Sequence, residues 1–165
     1  MQLSEPHIIA TSSLELVGIA QEMSLLSMPI AELWRTFRSH EAVRKQFIPF
    51  FYSVQLHHAP LDVQHFTPAA LFTKWACASR DFFETIPTDF LSLHIPAGLY
   101  AQFEVTVPPT AAKEVFEFIY GEWLPTSGYQ LAHRHQLEVI PHDYMQQGDR
   151  AQETIWIPIA PISKP

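Results

Sequence analysis

The residues best equipped for chemistry in this chain fall between Tyr120 and Ile159. Tyr120-Gly121-Glu122-Trp123-Leu124-Pro125 brings two aromatics to the end of an apolar run. Two later runs each carry a carboxylate: Glu138 between Leu137 and Val139, and Glu153 ahead of Ile155-Trp156-Ile157. A carboxylate among apolar neighbours is poorly solvated until a cation or a hydrogen-bond donor reaches it, and an aromatic face beside it adds cation–π attraction. Acids beside aromatics therefore point to a binding pocket, with the two acids starting as equals. Each has a plainer reading as well. Glu138 fits the alternate polar positions of a half-exposed antiparallel strand, and Glu153 fits a solvated or ion-paired strand start.

Other chemistries find less support. Nine histidines include His57-His58 and His133-x-His135, but three or four ligands must converge on a metal. Cys77 is the single cysteine and both histidine pairs fall in loop-like sequence, so no metal or other cofactor is expected, and no internal disulfide can form. H-E-x-x-H, G-x-S-x-G and phosphate-binding glycine loops are missing, and the chain has five glycines in all, which argues against common catalytic and nucleotide-binding motifs. The net charge of −7 works against direct nucleic-acid binding, which needs a basic footprint to displace counterions. The N-terminus lacks a basic region followed by an apolar core, and no apolar run approaches a membrane span, so a soluble, cytoplasmic protein with no membrane partner is expected.

The elements that must position these groups are legible from periodicity. Leu14 to Ala20, Phe50 to Leu56, Ala70 to Ala78, Leu99 to Val105, Gln136 to Ile140 and Thr154 to Ile159 read as strands. Ser79 to Leu93 stays open between a short helix and a loop, and Tyr144 to Ala151 reads as a hairpin loop. Pro29 suits the first turn of a helix in which Ile30, Leu33, Trp34 and Phe37 follow i, i+3, i+4, i+7. After Pro108-Pro109, Ala112, Val115, Phe116 and Ile119 repeat that spacing, each 82 positions later, in a helix expected to end at Pro125. The constant offset, with each helix preceded by one strand and followed by two, predicts an internal duplication. Trp34 and Phe37 sit at ordinary core spacing, Trp156 alternates with isoleucines, and Pro158 is expected at an edge or strand end.

Ile95-Pro96-Ala97-Gly98-x-Tyr100, Ile119-Tyr120-Gly121-Glu122-Trp123-Leu124-Pro125-x-Ser127-Gly128-Tyr129, Leu137-Glu138-Val139 and Glu153-x-Ile155-Trp156-Ile157-Pro158-Ile159 together resemble the GyrI-like effector-binding domains. That family includes ligand domains of AraC-type and multidrug-sensing transcription activators and a stand-alone inhibitor of DNA gyrase. The match is tight after His94 and looser before it, through Val17-Gly18-Ile19 and Ile30-x-x-Leu33-Trp34-x-x-Phe37. The resemblance implies an α+β fold over residues 1–165. Two strand-helix-strand-strand repeats, about 10–80 and 94–161, would be related by a pseudo-two-fold axis, with an antiparallel sheet, two main helices and a central cleft.

It also implies a cleft glutamate at Glu138, with Glu153 in support and Tyr120, Trp123, Tyr100, Trp34, Tyr52 and Phe37 as candidate walls. The chain departs from the family pattern at Ala132-His133-Arg134-His135, where many relatives have Ala-Asp-Gly, and Arg134 there could neutralise Glu138 and weaken a preference for cationic ligands. The implied function is binding of a small organic, cationic or aromatic ligand in transcriptional regulation or drug and stress sensing. With no room beside the repeats for a helix-turn-helix, regulation would run through a separate regulatory or target protein. Two alternatives stand beside it. One is a protein-interaction module of the gyrase-inhibitor type. The other is a small-molecule hydrolase with Glu138 as base and Tyr100 or Tyr120 as hydrogen-bond donor, although nothing supplies a nucleophile or an oxyanion hole.

Overall fold

Period-two runs of β-branched and aromatic residues build most of the molecule. The computed structural model describes residues 2–62 and 64–163; Met1, Val63, Lys164 and Pro165, which include both ends of the expected 1–165 span, lie outside the described residues. In chain order the elements are β1 (Gln2–Leu3), β2 (His7–Thr11), β3 (Leu14–Met23), α1 (Ile30–Ser39), α2 (Glu41–Arg44), β4 (Phe50–His57), β5 (Phe72–Ser79), β6 (Leu91–Ile95), β7 (Gly98–Thr106), α3 (Ala112–Phe118), β8 (Tyr129–Leu131), β9 (Gln136–Pro141) and β10 (Gln152–Pro161). The strands form one antiparallel sheet in the order β1-β7-β10-β9-β4-β5-β3-β6, with β2 also on β7 and β8 also on β10.

β3-α1-β4-β5 and β7-α3-β9-β10 share one order of elements. The sheet reads β3-β5-β4 from one side and β7-β10-β9 from the other, meeting at a β4–β9 seam where Ser53 lies opposite Glu138. This is the α+β architecture with pseudo-two-fold symmetry. The 82-residue offset of the helix anchors has a direct packing counterpart, because Leu33 and Phe37 of α1 are buried and so are their equivalents Val115 and Ile119.

Both helices cover the same face of the sheet. α1 buries Leu33 and Phe37 against Val17, Phe51, Phe72 and Ala76, while Val115 and Ile119 pack on Ala101, Phe103, Ile155 and Ile157. The opposite face holds a third cluster in which Leu16, Leu93 and Ile95 from one end of the sheet join Tyr100, Val54 and Leu137. Only Pro96 and Ala97 join β6, at one end of the path, to β7 near the other, so the sheet must curl, and strand twist supplies that curvature. β1, β2, β6 and β8 were not expected as strands; β2 and β6 are edge strands, and the open stretch Ser79 to Leu93 is a short 3-10 turn, Arg80–Phe82, followed by a loop that runs into β6.

The second helix does not stop at Pro125. α3 passes into a π-helical turn, Ile119–Trp123, and a last α turn, Leu124–Thr126, that contains Pro125. Proline has no N–H to give and its ring crowds the carbonyl four residues back, here Gly121. Widening the preceding turn so that the Leu124 N–H reaches the Ile119 carbonyl accommodates the proline without ending the helix. Pro158 likewise sits inside β10 rather than at its end, in the interval where that strand's partner changes from β9, paired through Trp156, to β8, paired from Ile159.

Candidate functional site

Where α1 and α3 leave the sheet uncovered, the central strands turn polar. Gln55 of β4 pairs with Lys74 of β5 on one side and Gln136 of β9 on the other, and Gln21 of β3 extends the row beyond Lys74. Ser53 and Glu138 form the next step of the pleat on the same face. Strands whose neighbouring turns of the pleat are Phe51, Phe72 and Ile140 would ordinarily continue apolar here, so this band is the floor of a groove between the two helices.

The floor is charged and nearly closed. Lys74, with 6% of its side chain exposed, places Nζ 3.9 Å from a Glu138 oxygen and 3.5 Å from Gln55 Oε1. Glu153, 7% exposed, lies near enough to Glu138 for each acid to act on the other's ionisation. Burial first, then the neighbouring Glu138 carboxyl, push the Glu153 carboxyl up to about 9, with Lys74 opposing the rise. Burial and a neighbouring acid both favour the protonated form of Glu153. Tyr120, carried by the π turn, donates its hydroxyl to Gln136 Oε1. Burial raises the phenols of Tyr120 and Tyr144, and nearby carboxylates raise them further: Glu138 for Tyr120, Glu153 and Glu138 for Tyr144. Two tyrosines thus stand near the two acids.

One end of the groove opens into a cavity of about 30 Å³ lined by Gln55, Tyr120, Gln136, His57 and Leu61, among others. That volume admits water and no organic ligand. Leu61 and His57 also border a second cavity of about 280 Å³ formed by the β4–β5 loop. Neither cavity is lined by Glu138 or Glu153.

The structure separates the expected site residues. Glu138, Glu153 and Tyr120 come together on the helix-covered face. Tyr100 and Tyr52 do not join them; they belong to the cluster on the opposite face, because their strand positions have the other parity. Phe37 is fully buried beneath α1 and Trp34 stands edge-on to Phe37 and Phe51, so both serve the core. Trp123 makes a T-shaped contact with Phe103 in the second core. The hydrogen-bond donor offered by Tyr100 goes to the His135 carbonyl at 2.7 Å, which removes it as a partner for Glu138.

Arg134 is corrected as well. Its guanidinium stacks over the Tyr100 ring at 4.8 Å and donates to the Leu99 and Ile159 carbonyls, so Lys74 is the cation beside Glu138. Gly98 leaves the space it fills, since a Cβ there would lie 2.7 Å from Arg134 Cζ. Gly98→Ala is expected to displace the guanidinium and cost about 2 kcal/mol, from two charged hydrogen bonds and a cation–π contact. In an Arg134→Ala background the same substitution should cost less than half as much, as chemical denaturation of the four variants of the cycle would measure.

Lys74, Gln55, Gln136, Ser53 and Tyr144 were not singled out in the sequence. A signal existed for the first four, because each is a polar residue alternating with apolar ones on the strand face that the helices cover. His133 Nε2 bonds the His57 carbonyl at 2.9 Å, and among the described residues no three His, Cys, Asp or Glu side chains converge as metal ligands. No helix is long and apolar enough to cross a membrane among the described residues.

Comparison with solved structures places this arrangement in context. An integron cassette protein from the mobile metagenome of Vibrio cholerae superposes with a TM-score of 0.71 at 13% identity, over 96% of this chain and 97% of that one. A protein solved bound to tetraphenylphosphonium gives 0.67 at 13% identity, over 95% and 94%. EcmrR, solved in a complex with DNA, gives 0.60 at 12% identity over 96% of this chain and 58% of that one. At such identities these likenesses establish a shared fold. No curated protein sequence matches. The family profile of integron-associated effector-binding proteins matches residues 7–159, and the chain belongs to that family, within the GyrI-like effector-binding proteins.

Proposed function

We propose that the groove between α1 and α3 holds a small aromatic molecule that brings a hydrogen-bond donor to Glu138, and that its occupancy is read by a partner in transcriptional regulation or stress sensing. The observation that carries this reading is the polar band of Lys74, Gln55, Gln136, Ser53 and Glu138 at the centre of the sheet, with Tyr120 hydrogen-bonded to Gln136. Such groups cost stability when buried and gain most from a ligand that completes their hydrogen bonding. The relative solved with tetraphenylphosphonium and the relative solved with DNA support the ligand and the regulatory setting respectively. With a present opening of about 30 Å³, binding requires the groove to widen, and the β4–β5 loop that carries Leu61 lies at its mouth. A hydrolase is the weaker reading, since Tyr100 faces away from Glu138.

Titration calorimetry against a panel of aromatic amines, aromatic amides and tetraphenylphosphonium tests this. At least one member should bind, and Glu138→Gln should weaken it about 10- to 100-fold through loss of a charge-assisted hydrogen bond. Silence across the whole panel, or equal affinity in the variant, would rule the groove out as the binding site.

A further inference from the structure

The cation position of the groove is already taken by the protein itself. Lys74 is buried, in a row with Gln21, Gln55 and Gln136, and faces the Glu138 carboxylate at 3.9 Å. The groups turned toward it are Gln55 from β4, Glu138 from β9 and Glu153 from β10, and Tyr120 and Tyr144 stand near the acids. With 6% of its side chain exposed, the ammonium has no solvent-facing alternative within the groove.

Resting on the effector-binding reading above, we propose that Lys74 is an internal counter-cation that sets ligand specificity. It directs the groove toward uncharged polar aromatic ligands and away from permanent cations. Lys74 sets its own cationic group beside Glu138, so the acid already has a counter-charge from the protein. A permanent cation brought to Glu138 meets Lys74 a few ångströms away in a poorly solvated space, where like charges repel strongly. An uncharged ligand meets no such repulsion. It finds an ammonium for a strong acceptor and two amide side chains, Gln55 and Gln136, each able to donate and accept. Specificity here comes from a repulsive element as much as an attractive one.

Methyltriphenylphosphonium and triphenylphosphine oxide test the charge at nearly constant shape, the second being neutral with a strong acceptor oxygen. Calorimetry on the wild type, Lys74→Met and Lys74→Gln should show wild type preferring the oxide. Both variants should bind the phosphonium at least tenfold more tightly than wild type, and Glu138→Gln in the Lys74→Met background should cancel that gain. Gln at position 74 keeps the polarity of the row, so a gain seen in both variants reads the charge and not a change in packing. A wild-type preference for the phosphonium that Lys74→Met leaves unchanged would overturn the role of Lys74 while sparing the binding site. Failure of both probes against every variant would overturn the proposal; the reading it rests on falls with it only if the aromatic amines and amides fail to bind as well.

Discussion

Gly18→Ala is expected to cost about 4 kcal/mol, near the top of the range for single substitutions. The methyl group has nowhere to go. A Cβ at Gly18 would overlap the Ala76 carbonyl oxygen and stand 2.7 Å from the Cys77 Cα, both backbone atoms of the neighbouring strand. Gly18 pairs with Cys77 on one side and with Leu91 on the other, so β3 cannot step away from β5 without disturbing its ladder with β6. Its side-chain direction is the concave face of the curled sheet, where strand backbones approach closely, and glycine is what a strand uses for such an approach. A melting-temperature drop of about 10 °C follows for a chain of this size. Gly121→Ala is the matched control, with no atom within 4 Å of the new Cβ in an exposed helical turn, and should be neutral or stabilising by up to about 1 kcal/mol. If the two substitutions behave alike, the close approach of β3 and β5 is wrong.

The second large effect is on the pH dependence of stability. Glu153 has an ordinary value near 4.5 when unfolded and about 9 when folded, so between those limits the native state binds a proton that the unfolded state has released. Stability must then fall as pH rises through that window, at up to about 1.4 kcal/mol per unit for one proton. Below about pH 4.5 both states carry the proton and the slope vanishes. Glu153→Gln removes the ionisation. Its advantage over wild type should grow by as much as about 4 kcal/mol from pH 5 to pH 8. Urea denaturation of both proteins at pH 5, 6, 7 and 8 measures this. Parallel curves would mean that Glu153 titrates alike in both states.

Much of the architecture was written locally. The i, i+3, i+4, i+7 spacing at Ile30 to Phe37 and again at Ala112 to Ile119 names the buried residues of both helices, since a helix on a sheet has one face to bury and Leu33, Phe37, Val115 and Ile119 are what lies on it. Alternation located six strands, and the repeated order of elements anticipated the two-fold arrangement. Short edge strands such as β2 and β8 escaped notice because a few residues exposed along one side carry almost no periodic signal. The π turn escaped because it is a compromise between Pro125, which breaks the α pattern, and an apolar face that continues past it.

The acids of the site were visible from their types and surroundings, whereas their counter-cation was not. Glu138 stands out as a carboxylate between Leu137 and Val139, and that much belongs to the chain as written. Lys74 lies far from it in sequence and meets it only because the order β5-β4-β9 sets their side chains on one face, two strands apart. Tyr100 and Tyr52 were equally plausible walls, and the register turned both to the other side. The residue types and their periods specified what each element would bury and which groups could carry charge. Which of those groups share a face depends on strand order and on the parity of each pairing, and a one-residue change of register would reverse the answer without altering a single local pattern.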